Sequence, residues 1–264
     1  MDFTDSPQID SDTIILTFTD HVFLPIFNIW YDYFSKLNLP NLLVVSLDPA
    51  TFKDLSGRGI RTILCNYQIK DRCAFWKFRL STIVNIFKKY KKNLIHTDAD
   101  CIWFKDVYSL IRDLPYDFIG SMEHGIPVAL SKKHGFVTCC GFYYVKYNER
   151  STAMFEKIMS QTDHGIDDQV LFNYYMFDNM QSIICNPSVL IEKAVLLKDN
   201  TTMALLNESI VHREVYNDST YCFHPWLPGK RTDLKIRQLR AFMKARKWYD
   251  TTVRVPLPFR KLAR

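Results

Sequence analysis

Glycine is scarce in this chain, eight among 264 residues. None falls in Thr17-Phe-Thr-Asp-His-Val22, where a phosphate-cradling loop would need one, and this weighs against a sugar nucleotidyltransferase. No apolar run approaches the ~20 residues that cross a bilayer. The stretch from Met1 to Asp12 carries four aspartates and no basic residue, so it reads as neither a signal nor a transit peptide. The seven cysteines are odd in number, scattered and without a Cys-x-x-Cys pair. They read as reduced thiols of a cytoplasmic, reducing compartment, not as a disulfide frame or zinc site.

What is present suffices for a folded body. A hydrophobic content of 47% with 14% aromatics excludes wholesale disorder, and the length suits one large α/β domain. The net charge of +6 is uneven. Gly229 to Arg264 holds twelve Lys or Arg against two Asp, a balance of +10 that leaves −4 for the rest. The expected division is a polar lead over 1–12, an α/β domain over 13–228 and a basic tail over 229–264.

Thr13 to Thr19 is β-branched and apolar, a first buried strand. Val22 to Leu37 reads as a helix, Asn41 to Asp48 as a second strand, Thr51 to Leu55 as a short helix and Arg61 to Cys65 as a third strand. Phe75 to Tyr90 is a helix leading into the strand Asn93 to Thr97. This alternation predicts parallel pairing with right-handed crossovers. Ligands of such sheets lie beyond the carboxyl ends of the strands, where Asp20, Asp48 and Asp98 stand.

The most informative stretch is Asn93-Leu-Ile-His-Thr-Asp-Ala-Asp-Cys-Ile-Trp-Phe104. Asp98 and Asp100 leave a buried strand two residues apart, and a turn there lets both aim at one point. Carboxylates so close repel unless a cation or protons neutralise them. Hard oxygen ligands suit Mg²⁺ or Mn²⁺, completed by water and phosphate. The bland alternative is a solvated acidic turn, which the flanking apolar residues disfavour.

Asp98, Asp100, Trp103 and Asp106 match the Asp-x-Asp-x-x-Trp-x-x-Asp segment of glycosyltransferases with the GT-A fold. The chain resembles their nucleotide-diphospho-sugar transferase group, glycosyltransferase family 77, with the glycogenin-like family 8 as a cousin. The resemblance implies a Rossmann-like α/β fold, a mixed, mostly parallel sheet flanked by helices, in one domain with a basic helical tail. It implies Mn²⁺ or Mg²⁺ on Asp98 and Asp100, completed by a late histidine: His224, with His212 competing. Lys230 or Lys235 would hold the diphosphate. Thr19 and Asp20, where the family often has Asn, would meet base and ribose. Arg79, with Lys77 second, would face the nucleotide sugar. In Thr138-Cys-Cys-Gly-Phe-Tyr-Tyr-Val145, Gly141 would let backbone approach the donor sugar. Cys139 replaces the family's common Asn, so the donor's identity is not inherited. In Gly165-Ile-Asp-Asp-Gln-Val-Leu-Phe-Asn173, Asp168 and Gln169 would stand on the acceptor side, or the aspartates only cap a helix.

The activity so implied is transfer from a nucleotide-diphosphate sugar, a UDP-sugar by resemblance, to a hydroxyl of a glycan, glycoprotein or glycolipid, with retention. The rivals are a sugar nucleotidyltransferase and a non-catalytic carbohydrate- or partner-binding protein. In the tail, Ile236, Leu239, Phe242 and Met243 recur at helical spacing beside Arg237, Arg240, Lys244 and Lys247. Such a helix either lies peripherally on an anionic membrane or packs on the enzyme's own core. Nucleic acid is not an expected partner, because the body is acidic and no nucleic-acid motif is present.

Overall fold

The computed structural model describes residues 7–9, 11–67, 72–161, 166–184, 188–213, 220–225 and 232–249. Its first strand, β1 (Thr13–Thr19), is buried along its whole length, as suits a β-branched run covered on both faces. In α1 (Leu24–Phe34), Ile26, Phe27, Trp30 and Phe34 turn inward at helical spacing, and Trp30 stacks on Phe34. After β2 (Leu42–Ser46), the Asp48 side chain caps α2 (Pro49–Gly57) by accepting from the Thr51 amide at 2.8 Å. Then come β3 (Thr62–Leu64), α3 (Arg72–Tyr90) and β4 (Asn93–Thr97). These four strands lie in the order β3-β2-β1-β4, all parallel, as the alternation predicts.

Beyond β4 the pairing changes. A two-residue strand, β5 (Ile102–Trp103), and α4 (Tyr108–Ile111) lead to β6 (Phe118–Glu123), α5 (Val128–His134) and β7 (Val137–Val145). Next are α6 (Glu149–Ser160), α7 (Asp168–Asn179), β8 (Met180–Ile184), β9 (Ile191–Leu197) and β10 (Thr202–Leu206). The full sheet runs β3-β2-β1-β4-β7-β6-β10-β9-β8. β7 is antiparallel to β4 and β6, while β10 is parallel to β6. Hence β1, β4, β6 and β10 end at one edge and β7 begins there. The chain leaves β1 toward β2 on one side and reaches β4 on the other, and a switch of this kind opens a crevice beyond the strand ends.

Side chains alternate across the sheet. From β1, Ile14, Leu16 and Phe18 join the core under α3, α6 and α7, whereas Ile15 joins the core of α1 and β5. On that second side β11 (Val211–His212), β12 (Cys222–Phe223) and β5 form a small sheet, and α8 (Thr232–Tyr249) packs alongside α1. Leu239 and Met243 of α8 are buried in this core and Ile236 is half-buried against it. At these three residues the apolar side of the tail faces protein.

Trp103 fixes the turn that carries the two aspartates. Fully buried, it donates from Nε1 to Thr97 Oγ1 at 3.1 Å and sets its ring edge-on to Phe34. Asp106, the last residue of the matched segment, accepts from the Ser109 amide at 3.0 Å at the start of α4. Its role is local. Replacement Trp103→Ala should destabilise the fold by about 3–5 kcal/mol in urea unfolding. A loss below about 1 kcal/mol, the size of an ordinary surface change, would show that the turn is held by other contacts.

Candidate active site

At the end of β4 the Asp98 amide donates to the Gly141 carbonyl of β7 at 2.8 Å, and the Asp98 carbonyl accepts from Cys101 at 2.9 Å. The turn so closed sends Asp98 and Asp100 to the same side. His224 reaches them because β12 pairs with β5, Phe223 opposite Ile102, and because its amide donates to the His212 carbonyl at 2.8 Å. Its Nε2 lies 3.3 Å from Asp100 Oδ1 and 3.9 Å from Asp98 Oδ2. One ligand atom from each of Asp98, Asp100 and His224 falls within 4.8 Å of the others. A Cβ on Gly141 would sit 2.0 Å from His224 Cε1 and 2.8 Å from Asp98 Oδ2. Glycine thus leaves the space that the His224 ring and the Asp98 carboxylate occupy. Two carboxylates and an imidazole converging on a cleared space fit a divalent ion of the Mg²⁺ or Mn²⁺ kind.

Cations surround these carboxylates. Arg79, buried on α3, donates from Nη1 to Asp98 at 3.0 Å and from Nε to Asp168 at 2.8 Å, with a second bond from Nη2 to Asp168. Its guanidinium also lies over the Trp76 ring, 4.4 Å from the centroid. Burial raises the pKa of Asp98, yet Arg79, His96 and His224 outweigh it and hold the carboxyl below its ordinary range. Asp100 is lowered likewise, by His224 and by Lys235 of α8, whose Nζ is 2.9 Å from Oδ2. Asp168 goes the other way: burial pushes it up to about 6. Its Oδ1 is buried with no hydrogen-bond partner among the described residues. On the far side of the imidazole, His224 Nδ1 lies 3.1 Å from Arg213 Nη1 and 3.6 Å from Cys139 Sγ. Burial and the neighbouring Arg213 lower the pKa of His224, but the Cys139 sulfur and the Asp100 carboxylate outweigh them and raise it above the ordinary histidine value.

The sequence candidates divide clearly. Asp98, Asp100, His224, Gly141, Arg79, Asp168 and Lys235 come together. Lys230 lies outside the described residues. Lys77 is exposed on α3, whereas Arg79 is buried. Thr19 is buried at the end of β1, and Asp20 accepts from the Phe23 amide at 2.7 Å where the chain turns into α1. His212 serves His224 through its backbone. At the start of α7 it is Asp167 that caps, accepting from the Gln169 amide at 2.9 Å, which leaves Asp168 for Arg79. The Gln169 side chain donates to Glu123 and to the Ile126 carbonyl and accepts from the Cys140 amide, joining β6, β7 and α7. Glu123 and Arg213 escaped the sequence reading. Glu123 ends a buried strand as Asp98 does, a signal that could have found it; Arg213 carries none.

A family model for nucleotide-diphospho-sugar transferases matches residues 37–227. The chain belongs to this family. Its fold and family are those of a glycosyltransferase. A curated relative of this transferase is the beta-arabinofuranosyltransferase RAY1 of Arabidopsis thaliana, 20% identical over 273 residues, covering 92% of this chain and 49% of the relative. The chain thus spans about half the length of that relative. Among solved structures, the glycosyltransferase GlyE of Streptococcus pneumoniae aligns over 93% of this chain and 66% of its own, with TM-score 0.51 and 10% identity. The bifunctional glycosyltransferase WbbM gives 0.52 at 11% identity, covering 92% and 45%. A CMP:2-keto-3-deoxy-manno-octonic acid synthetase gives 0.50 at 11% identity, covering 89% and 100%. Likeness at this identity shows the shared fold alone, and it extends to a synthetase; the family match separates the two.

Two outcomes are expected of the site. Gly141→Ala should displace the His224 ring and weaken Mn²⁺ binding at least ~tenfold in calorimetry while the protein stays folded, because the clash is with a side chain that can move. Unchanged affinity would show that His224 is no ligand. Metal ligation needs a bare Nε2 and the pKa of His224 is raised, so Mn²⁺ binding should weaken as pH falls. Calorimetry at a series of pH values reads this, and an affinity that does not fall with pH would refute it.

Proposed function

We propose that this transferase moves a sugar from a UDP-sugar to a hydroxyl of a glycan or glycoconjugate, in a reaction that depends on a divalent metal and retains configuration. The observation that carries the reading is the convergence of Asp98, Asp100 and His224 on one space, with Lys235 against Asp100 and Arg79 against Asp98. Asp98, Asp100 and His224 would hold Mn²⁺ or Mg²⁺, which when bound supplies Lewis-acid neutralisation of a departing diphosphate. Lys235 brings its ammonium to Asp100 at the end of a long side chain. Once its hold on Asp100 is relieved, it can pair with a phosphate and stabilise the charge that grows as the glycosyl bond breaks.

Arg79 keeps Asp98 and Asp168 apart in charge and fixed in place. The Oδ1 of Asp168, without a hydrogen-bond partner among the described residues, suits a sugar hydroxyl, which would satisfy a buried acceptor. Gln169, bonded at both ends of its amide, orients β7 and the turn after β6 on the acceptor side. Uracil and ribose would lie across the ends of β1 and β2, near Thr19 and Asp20. Retention follows the family resemblance, with attack from the leaving-group face. The arabinofuranosyl activity in the name of the Arabidopsis relative admits pentoses as well as hexoses as the sugar moved. The nucleotidyltransferase rival draws on the synthetase-like fold but lacks glycine after the first strand.

Release of free sugar from a panel of UDP- and GDP-sugars with Mn²⁺ tests the reading. Wild type should hydrolyse a UDP-sugar slowly, and Asp100→Ala should lose at least ~100-fold of that rate while keeping its fold. Full activity of the variant, or of wild type in chelator, would overturn metal dependence; preference for GDP-sugars would overturn the donor assignment.

A further inference from the structure

Behind the His224 ring, on the side away from the aspartates, lies a sulfur that the transferase reading leaves unused. Cys139 of β7 is buried, and a buried free cysteine is ordinarily a small apolar filler. This one differs. Cys101, Cys140 and Cys222 pack into the two apolar cores, and Cys139 belongs to neither. Its surroundings are N–H groups instead. Arg213 donates from Nη1 to the Cys139 Sγ at 2.8 Å and the Gly141 amide donates to it at 3.4 Å. His224 Nδ1 lies 3.6 Å from the same sulfur. Arg213 is held in turn, with Nη2 3.6 Å from Glu123 Oε1.

Hydrogen-bonding capacity decides what such a sulfur does. A neutral imidazole that turns a bare Nε2 to a metal carries its hydrogen on Nδ1. A ligating histidine almost always donates that second N–H to an acceptor, which fixes the orientation of the ring. Among the described residues, two side-chain groups lie within reach of His224 Nδ1: Arg213 Nη1 at 3.1 Å and the Cys139 sulfur. Arginine carries five donors and no acceptor, so it cannot receive the Nδ1–H. Sulfur accepts, although weakly. We propose that Cys139 is a positioning residue of the metal site, whose Sγ accepts from His224 Nδ1 and so aims Nε2 at the space shared with Asp98 and Asp100. Arg213, by donating to the same sulfur, leaves the ring free to do this. The inference rests on the metal-dependent transferase reading and adds to it the group that orients the third ligand.

Two substitutions of nearly equal size separate an acceptor from a filler. Alanine and serine remove about the same bulk at Cys139, but only serine keeps a lone pair to offer. In calorimetry on the full chain, Cys139→Ala should weaken Mn²⁺ binding about tenfold. Cys139→Ser should stay within about threefold of wild type, because its hydroxyl still accepts. Urea midpoints of the two variants in chelator should coincide, and Mn²⁺ should raise the midpoint of Cys139→Ser more than that of Cys139→Ala. Equal losses of affinity in both variants would show a cavity effect and overturn the proposal, as would wild-type affinity in Cys139→Ala. A second measurement needs no variant at this position. In wild type loaded with Mg²⁺, two-bond proton–nitrogen spectra should place the His224 hydrogen on Nδ1, and a hydrogen on Nε2 would overturn the proposal. If wild type binds neither Mn²⁺ nor Mg²⁺, the metal reading itself fails and this inference falls with it. If wild type binds Mn²⁺ and hydrolyses a UDP-sugar while the two variants behave alike, the transferase reading stands and this inference alone is lost.

Discussion

Mutual repulsion among crowded, mostly buried carboxylates is the constraint around which this molecule is arranged. Asp98, Asp100 and Asp168 crowd one end of the sheet, and two unit charges 4 Å apart near a protein surface repel by about 4 kcal/mol. No hydrophobic packing of the surrounding turn offsets several such terms within a net stability of ~5–15 kcal/mol. Each carboxylate therefore has a cation delivered from elsewhere: Arg79 from α3 to Asp98 and Asp168, Lys235 from α8 and His224 from the turn after β12 to Asp100. The placement of α3 and α8 is in this sense an electrostatic requirement as well as a packing one. The same arrangement explains why the cluster suits a metal: a site that must be neutralised in its absence is already strongly acidic in its presence.

The imidazole of His224 is where two such systems meet. On one side it faces the aspartates; on the other it faces Arg213 and Cys139, with Arg213 in turn 3.6 Å from Glu123. Gln169 ties Glu123 to the start of α7, and so to Asp168 and Arg79. The aspartates, His224 and the Glu123–Gln169 pair thus share one network of alternating charge, in which displacement of a member alters the pairing of its neighbours. Cys139 is part of it, although the family commonly has Asn there. Its thiol occupies the space beside the ring where a carboxamide would offer stronger hydrogen bonds.

Much of this was legible in the sequence, for specific reasons. β1, β2 and β4 are read because strands buried on both faces must be nearly continuous apolar runs, and Asp98 because a charge at the end of such a run has few structural excuses. Thr138 to Val145 was legible as a strand, but not its direction, since nothing in a buried run tells parallel from antiparallel. The site residues missed are those whose role depends on a distant partner. Glu123 and Arg213 are ordinary until folding sets them around His224. Lys235 could not be told from Lys230 because the reach of a lysine to Asp100 depends on where folding starts α8. The tail stayed open between two readings: the spacing of Ile236, Leu239 and Met243 serves a surface-seeking helix and equally a helix laid on α1, and folding uses these three for the second.

The route by which His224 arrives bears on the order in which the enzyme comes into being. Every strand of the large sheet precedes Asn207, whereas His224 and Lys235 follow it and are held by β12 and α8. A chain emerging from the ribosome can thus complete its scaffold with the aspartates present but their late partners still unmade. Such an intermediate has a sheet and a crevice, yet lacks the imidazole that occupies the space beside Gly141. The last partners of the aspartates are supplied by a two-residue strand and a helix, so a chain cut short before β12 would carry Asp98 and Asp100 without His224 and Lys235 beside them.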